Sequence, residues 1–253
     1  MDKKTCIVTG ASGGIGISVV RKFIQNGYLV VMMDLDEDVM KQKIKENGLD
    51  PATCLLYPLD ITNEDAVRDT CEKLYREYGH LDALVNAAGI CGRYSKTVGF
   101  SYDNFRRIYE VNVFGTFLMM KHVLPYMIEQ KSGAIVNFGS VSGMRGYPFE
   151  IGYGSSKWAV IGMTENVATE YGGDGIRCNS VSPGWVDTPM MKKTFENYVE
   201  LDDSNPEKWV SYGPLNRAAR PEEIADAVFY LCSDQASFVN GTNLTVDGGM
   251  IIQ

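Results

Sequence analysis

The chain has 253 residues, with 24 Lys+Arg against 32 Asp+Glu and a formal net charge of −8. Hydrophobic residues make up 45% and charged residues 22%, ordinary globular usage that excludes a disordered chain. The acidic balance argues against nucleic acid and against anionic membrane surfaces as partners. Six cysteines, none in a CxxC pair, and only two histidines, His80 and His122, speak against a metal site. They fit reduced thiols in a cytoplasmic protein. The start, Met1-Asp2-Lys3-Lys4, lacks the shape of a signal peptide, and the apolar run Tyr28–Met33 is too short to cross a membrane.

Strand-like and helix-like patterns alternate along the chain. Thr5–Thr9 reads as a strand that ends at Gly10, and Ile15–Gln25 as a helix stopped by Asn26-Gly27. Tyr28–Met33 is apolar throughout, as in a strand covered on both faces. A polar helix over Glu37–Asn47, a strand at Cys54–Leu59, a helix over Asn63–Tyr78 and a strand at Leu81–Val85 follow. Asn63 is placed to cap its helix. Beyond them come a long helical region at Tyr102–Gln130, a strand at Gly133–Phe138, a helix over Tyr153–Tyr171 and a strand at Ile176–Val181. A helix over Pro221–Cys232 and a strand at Asn243–Val246 close the series. This order predicts one α/β domain over residues 1–253, a doubly wound parallel sheet with helices on both faces. Thr188–Pro214 interrupts the alternation and reads as an irregular substrate lid.

The first strand-to-helix turn runs Thr9-Gly10-Ala11-Ser12-Gly13-Gly14-Ile15-Gly16. Glycines let a backbone approach a pyrophosphate, and the helix start offers free N–H groups and a positive dipole end. Asp34 ends the second strand, 18 residues after Gly16, where a carboxylate can accept from both adenosine-ribose hydroxyls. A 2′-phosphate would be repelled there, and Leu35-Asp36-Glu37-Asp38 supply no cation, so NAD is expected over NADP. Residues 10–14 also match a G-x-S-x-G nucleophile elbow, but neither histidine is well placed to serve Ser12.

Tyr153 and Lys157 are four apart on a helix and share a face. A nearby ammonium favours phenolate and lowers a tyrosine's pKa, so the pair suits proton exchange with an alcohol. Ser140 follows the fifth strand at the carboxyl end of the sheet, where open α/β sheets bind ligands, with Ser142 as the competing hydroxyl.

Together these residues resemble the short-chain dehydrogenase/reductase family over essentially the whole chain. The resemblance also takes in Asp60, Asn86-Ala87-Ala88-Gly89, Asn112-Val113-Phe114-Gly115, Pro183-Gly184 with Thr188, and Asn243 to Gly249. It implies a Rossmann fold of about seven strands in three α/β/α layers. Tyr153 would be the general acid/base, Lys157 would lower its pKa and bind the nicotinamide ribose, and Ser140 would orient the substrate oxygen. Asn112 would hold a water linking Lys157 to solvent. Gly10, Ser12, Gly13, Gly14, Ile15, Gly16, Asp34, Leu35, Asp60, Ile61, Asn86, Ala87, Gly89, Pro183, Gly184, Val186 and Thr188 would contact the cofactor. Gly139 stands where the family often has Ser. The family also implies a homo-oligomer, usually a tetramer, paired through the long helices.

The expected reaction is hydride transfer between NAD(H) and a secondary alcohol or ketone. Ser142, Met144, Tyr147, Phe149, Trp185, Met190 and Met191 are expected to line an apolar pocket, with Phe195, Tyr198, Trp209 and Tyr212 in the lid. Residues 91–97 are expected to border it. A bulky substrate such as a hydroxysteroid fits best. A 3-oxoacyl-thioester reductase, a small polyol or diol dehydrogenase, and a non-enzymatic dinucleotide sensor are the alternatives.

Overall fold

The computed structural model describes residues 3–201 and 212–252. Seven parallel strands form one sheet in the order β3-β2-β1-β4-β5-β6-β7. They are β1 Thr5–Thr9, β2 Leu29–Asp34, β3 Cys54–Pro58, β4 Ala83–Asn86, β5 Gly133–Phe138, β6 Ile176–Pro183 and β7 Asn243–Val246. Each strand lies within a few residues of its sequence-predicted span.

The strand faces explain the layers. On β1, Cys6 and Val8 point one way and Ile7 the other, all fully buried. Cys6 and Val8 pack under α1 (Gly14–Gln25), α2 (Glu37–Glu46) and α8 (Pro221–Cys232), through Val19, Phe23, Met40 and Val228. Ile7 packs under α3 (Glu64–Tyr78) and α5 (Thr116–Gln130), through Cys71, Leu74, Met119 and Val123. α6 (Ile151–Tyr171) covers the same side through Ala168. A buried aliphatic side chain contributes about 1.5–3 kcal/mol, so the two cores hold the sheet between its helix layers. Asn63 caps α3 as expected, its side chain accepting from the Ala66 N–H at 3.1 Å.

Two stretches differ from the sequence reading. The region 102–130 is not one continuous α-helix. α4 (Tyr102–Tyr109) and α5 are joined by a π-helical turn over Glu110–Gly115, which adds a residue to the turn and re-aims Asn112. The expected irregular stretch begins with a helix, α7 (Pro189–Leu201). Thr188 and Pro189 form its start: the Thr188 hydroxyl accepts from the Met191 N–H at 3.3 Å, and Pro occupies the first helical position. Trp209 and the side chain of Tyr198 lie outside the described residues. None of the described helices is long and apolar enough to cross a membrane.

Candidate active site

Strand order reverses between β1 and β4, so the crevice opens there at the carboxyl ends of the strands. A cleft of about 540 Å³ runs along this edge. At one end lies the turn after β1. Gly10 takes φ +61°, and a Cβ there would sit 2.7 Å from the Ala88 backbone. A Cβ on Gly16 would collide with the Gly10 carbonyl, and one on Gly14 would lie 2.7 Å from the Thr188 methyl. The three glycines therefore hold the turn, the loop after β4 and the start of α7 in close contact.

Asp34 reaches back across this turn. One carboxylate oxygen accepts from the Ser12 N–H at 2.9 Å and the other from the Leu35 N–H at 2.8 Å. Helix α2 is capped by Asp36 instead, which accepts from Asp38 and Val39. Ser12 Oγ is buried with no hydrogen-bond partner among the described residues. His80 pairs with Asp82 and His122 with Glu64, so neither activates Ser12 and the hydrolase elbow has no base. Asp60 accepts from the Thr62 N–H and hydroxyl at 2.9 and 2.7 Å, which, with the nearby Arg107, holds its carboxyl below the usual range.

The reactive end gathers side chains from β5, α6 and the loops between them. Tyr153 lies within hydrogen-bonding reach of Ser140, whose hydroxyl also accepts from the Ser142 N–H at 3.2 Å. Lys157 Nζ stands 5.6 Å from the Tyr153 ring centre and donates to the Phe138 carbonyl at 2.7 Å. Burial pushes the lysine down to about 8. It pushes the Tyr153 hydroxyl up, an effect the Ser140 hydrogen bond opposes and the Glu150 and Cys91 charges reinforce. The sequence reading expected Lys157 to lower this tyrosine. Desolvation instead dominates at Tyr153, while the Lys157 ammonium is directed at the Phe138 carbonyl.

Asn112 is 1% exposed on the π-helical turn. Its oxygen accepts from the Ile90 N–H at 2.8 Å, and its nitrogen donates to the Ile90 carbonyl at 2.9 Å and to Ser156 at 3.0 Å. Asn112 thus ties the loop after β4 to α6. Gly89 separates its oxygen from Lys157: a Cβ there would be 3.3 Å from Asn112 Oδ1 and 3.5 Å from Lys157 Nζ.

The family model described as Enoyl-(Acyl carrier protein) reductase matches residues 10–251. The chain is 37% identical to the 3-oxoacyl-[acyl-carrier-protein] reductase of Thermotoga maritima over 252 residues, covering 100% of this chain and 99% of the relative. The chain belongs to the short-chain dehydrogenase/reductase family. It is an oxidoreductase by that membership. The solved levodione reductase superimposes with TM-score 0.92 at 32% identity, covering 98% of both chains. An NAD+-bound xylitol dehydrogenase superimposes with TM-score 0.90 at 32% identity, over 97% of this chain and 98% of the other. Another solved relative, at 30% identity, holds NADP.

In this short-chain dehydrogenase/reductase the cleft brings together most of the sequence-predicted residues. Gly10, Ser12 to Gly16, Asp34, Leu35, Asp60, Ile61, Ala87, Gly89, Pro183, Gly184, Val186 and Thr188 line it, with Ser140, Tyr153 and Lys157. Asn86 lies behind it, 2% exposed, donating to Asn137 at 2.8 Å. Ser142, Tyr147, Trp185, Met190 and Met191 line the substrate end. Met144 does not: its sulfur faces β7 and accepts from Thr245. Phe149, at φ +71°, packs behind the wall with Cys91, Tyr94 and Trp185. Phe195 is likewise no lining residue, its ring lying 5.2 Å from Trp185. Cys91 and Tyr94 border the cleft, as expected for the loop after β4. The sequence reading missed Thr194 and Glu150. Glu150 carried a signal, an acid three residues before Tyr153 at the start of the same helix.

Proposed function

We propose that the protein interconverts a secondary alcohol and a ketone with NAD(H), using Tyr153 as general acid/base. The observation that carries this is the meeting of Ser140, Tyr153 and Lys157 at one end of a cleft whose other end is a glycine cradle with a carboxylate. The cradle fits a dinucleotide on its own evidence of shape and chemistry. The orphaned Ser12 hydroxyl needs a partner, a Cβ would block the close approach at Gly14, and the N-terminus of α1 offers donors to an anion. Asp34 would accept from the adenosine ribose and repel a 2′-phosphate, which favours NAD(H).

When bound, the nicotinamide accepts or supplies the hydride. The residues of the chain do the rest. Ser140 orients the substrate oxygen by hydrogen bonding, and Tyr153 takes or returns the proton at that oxygen. Lys157, whose Nζ stands 5.6 Å from the Tyr153 ring centre, would place positive charge beside the tyrosine and help hold the nicotinamide ribose. The gap at Gly89 suits a water bridging Asn112 and Lys157, which would return the proton to solvent.

The substrate end is walled by Cys91, Tyr94, Val141, Trp185, Met190 and Met191, which supports a bulky apolar substrate such as a hydroxysteroid. The identity to the Thermotoga enzyme favours the second reading, a 3-oxoacyl-thioester reductase. A panel of hydroxysteroids, cyclic alcohols and 3-oxoacyl thioesters, followed by dinucleotide absorbance, separates them. Turnover of cyclic alcohols with NAD+ is expected; turnover of thioesters alone, with NADPH, would overturn this reading.

Exposed rings on the long helices, Phe117 and Trp158, with Phe114 on the π-helical turn, support pairing with other copies, as a homotetramer. Light scattering showing a monomer would contradict that.

A further inference from the structure

Gly139 stands where the family often has Ser, and its own backbone does not require a glycine. Its φ lies outside the left-handed region. The residue follows β5, is buried, lines the cleft and leads directly into Ser140. Its N–H donates to the Val181 carbonyl of β6 at 2.8 Å, so it extends the strand pairing up to the serine. The demand for glycine comes from a neighbour. A Cβ at 139 would stand 2.5 Å from Ser182 Oγ.

That oxygen is not free to step aside. The Ser182 hydroxyl donates to Asn243 Oδ1 on β7 at 2.7 Å. Ser180, on the same face of β6, donates to the same oxygen at 2.8 Å. Both serines are fully buried. Displacing Ser182 Oγ would break a buried hydrogen bond and leave its partner short of a donor. The other wall of the space is Ile161 of α6, with Cγ1 at 3.2 Å and Cδ1 at 3.4 Å from the added Cβ. The hydroxyl at 182 therefore occupies the room that a side chain at 139 would need.

We propose that Ser182, anchored by Asn243, is a positioning residue for Ser140: it packs beside Gly139 and fixes the backbone from which Ser140 reaches Tyr153. This rests on the reading of Ser140 and Tyr153 as the proton-transfer pair. Ser182 has no contact with the cleft and acts only through Gly139. A hydroxyl at 182 over glycine at 139, or a methyl at 139 over alanine at 182, fills the same space. The two positions are then exchangeable together and not singly.

The test compares the wild type with Gly139→Ala, Ser182→Ala and the double variant. An alcohol that the panel shows to be oxidised with NAD+ serves as substrate. Once the Ser182 oxygen is gone, the new methyl meets only the end of the Ile161 side chain, which can relax. Gly139→Ala should lower kcat by about tenfold, and the double variant should recover most of the loss. The pH profile separates positioning from packing. The Ser140 hydrogen bond favours the Tyr153 phenolate, so a displaced Ser140 raises the tyrosine. The rise of kcat/KM with pH should therefore move about 0.5–1 unit higher in Gly139→Ala and return in the double variant. Ser182→Ala alone should move it the same way by less. An unmoved profile in Gly139→Ala, or a double variant no better than Gly139→Ala, would overturn the proposal. If Gly139→Ala does not fold, Ser182→Ala decides, and a wild-type profile there overturns it. If no alcohol is oxidised, the alcohol reading fails on that result alone. Carbon-labelled tyrosine NMR, with Tyr153→Phe to assign the resonance, then reads the positioning without turnover. The Tyr153 signal should shift in Gly139→Ala and return in the double variant; a signal that does not shift, or does not return, rejects the role of Ser182.

Discussion

The two ends of the cleft are built from different materials. The cradle at the β1 turn is mostly backbone: glycines whose missing Cβ atoms let three segments touch, and one carboxylate fixed by two N–H groups. The substrate end is made of side chains drawn from the loop after β4, the loop after β5, the segment after β6 and α7. A backbone cradle tolerates almost no substitution and recognises what every ligand of the site shares. A side-chain wall can be exchanged residue by residue. One chain can thus keep its cofactor chemistry fixed while its substrate changes, and the substitutions that break each end should differ in kind.

The largest effect is expected between the ends. Tyr153→Phe should lower turnover by roughly 10²–10⁴-fold, the range for a lost general acid/base, while NADH still binds in a fluorescence titration. Loss of both together would mean that Tyr153 supports the cradle instead. Gly14→Ala tests the cradle, since the new methyl meets Thr188. Dinucleotide Kd should rise by about tenfold, or about 1.4 kcal/mol. A selective effect is expected from Asp34→Ala, whose NAD-over-NADP preference should fall by about tenfold; an unchanged ratio would remove the ribose role.

The smallest effect concerns stability. Lys157 is lowered by burial to about 8, against about 10.4 in an unfolded chain. Between these values the unfolded state binds the extra proton, so folding gains stability as pH rises through that window. Below about 8 both states are charged and the desolvation cost is fully present. Melting curves from pH 7 to 9.5 should therefore show the wild type gaining on Lys157→Met by a few degrees at most. A gap that is flat in pH would place the ammonium in contact with water.

The legibility of the sequence follows the same division. The strands could be read because parallel strands buried on both faces are apolar runs bounded by glycines, as at β2. The turn at Gly10 to Gly16 and the acid at Asp34 could be read because backbone geometry restricts which residues fit. The π-helical turn could not, because nothing in the pattern of residues 110–115 marks an inserted residue; its Asn112 is held by long-range hydrogen bonds to the Ile90 backbone and to Ser156. α7 did not stand out because two helices, α7 and α8, lie between β6 and β7, where strict strand–helix alternation calls for one, although Thr188-Pro189 is itself a helix-start signal. Met144 and Phe149 were misplaced for a related reason. Apolar character does not tell which way a loop side chain turns, and here one faces β7 and the other packs behind the wall.

In the proposed reaction, hydride passes directly between an alcohol carbon and NAD at the Tyr153 end of the cleft. The most direct measurement uses an alcohol from the panel deuterated at its carbinol carbon, oxidised with NAD+, with the product NADH analysed by mass. One deuterium is expected in each NADH formed. NADH without label, or no NADH from any alcohol in the panel, would contradict it.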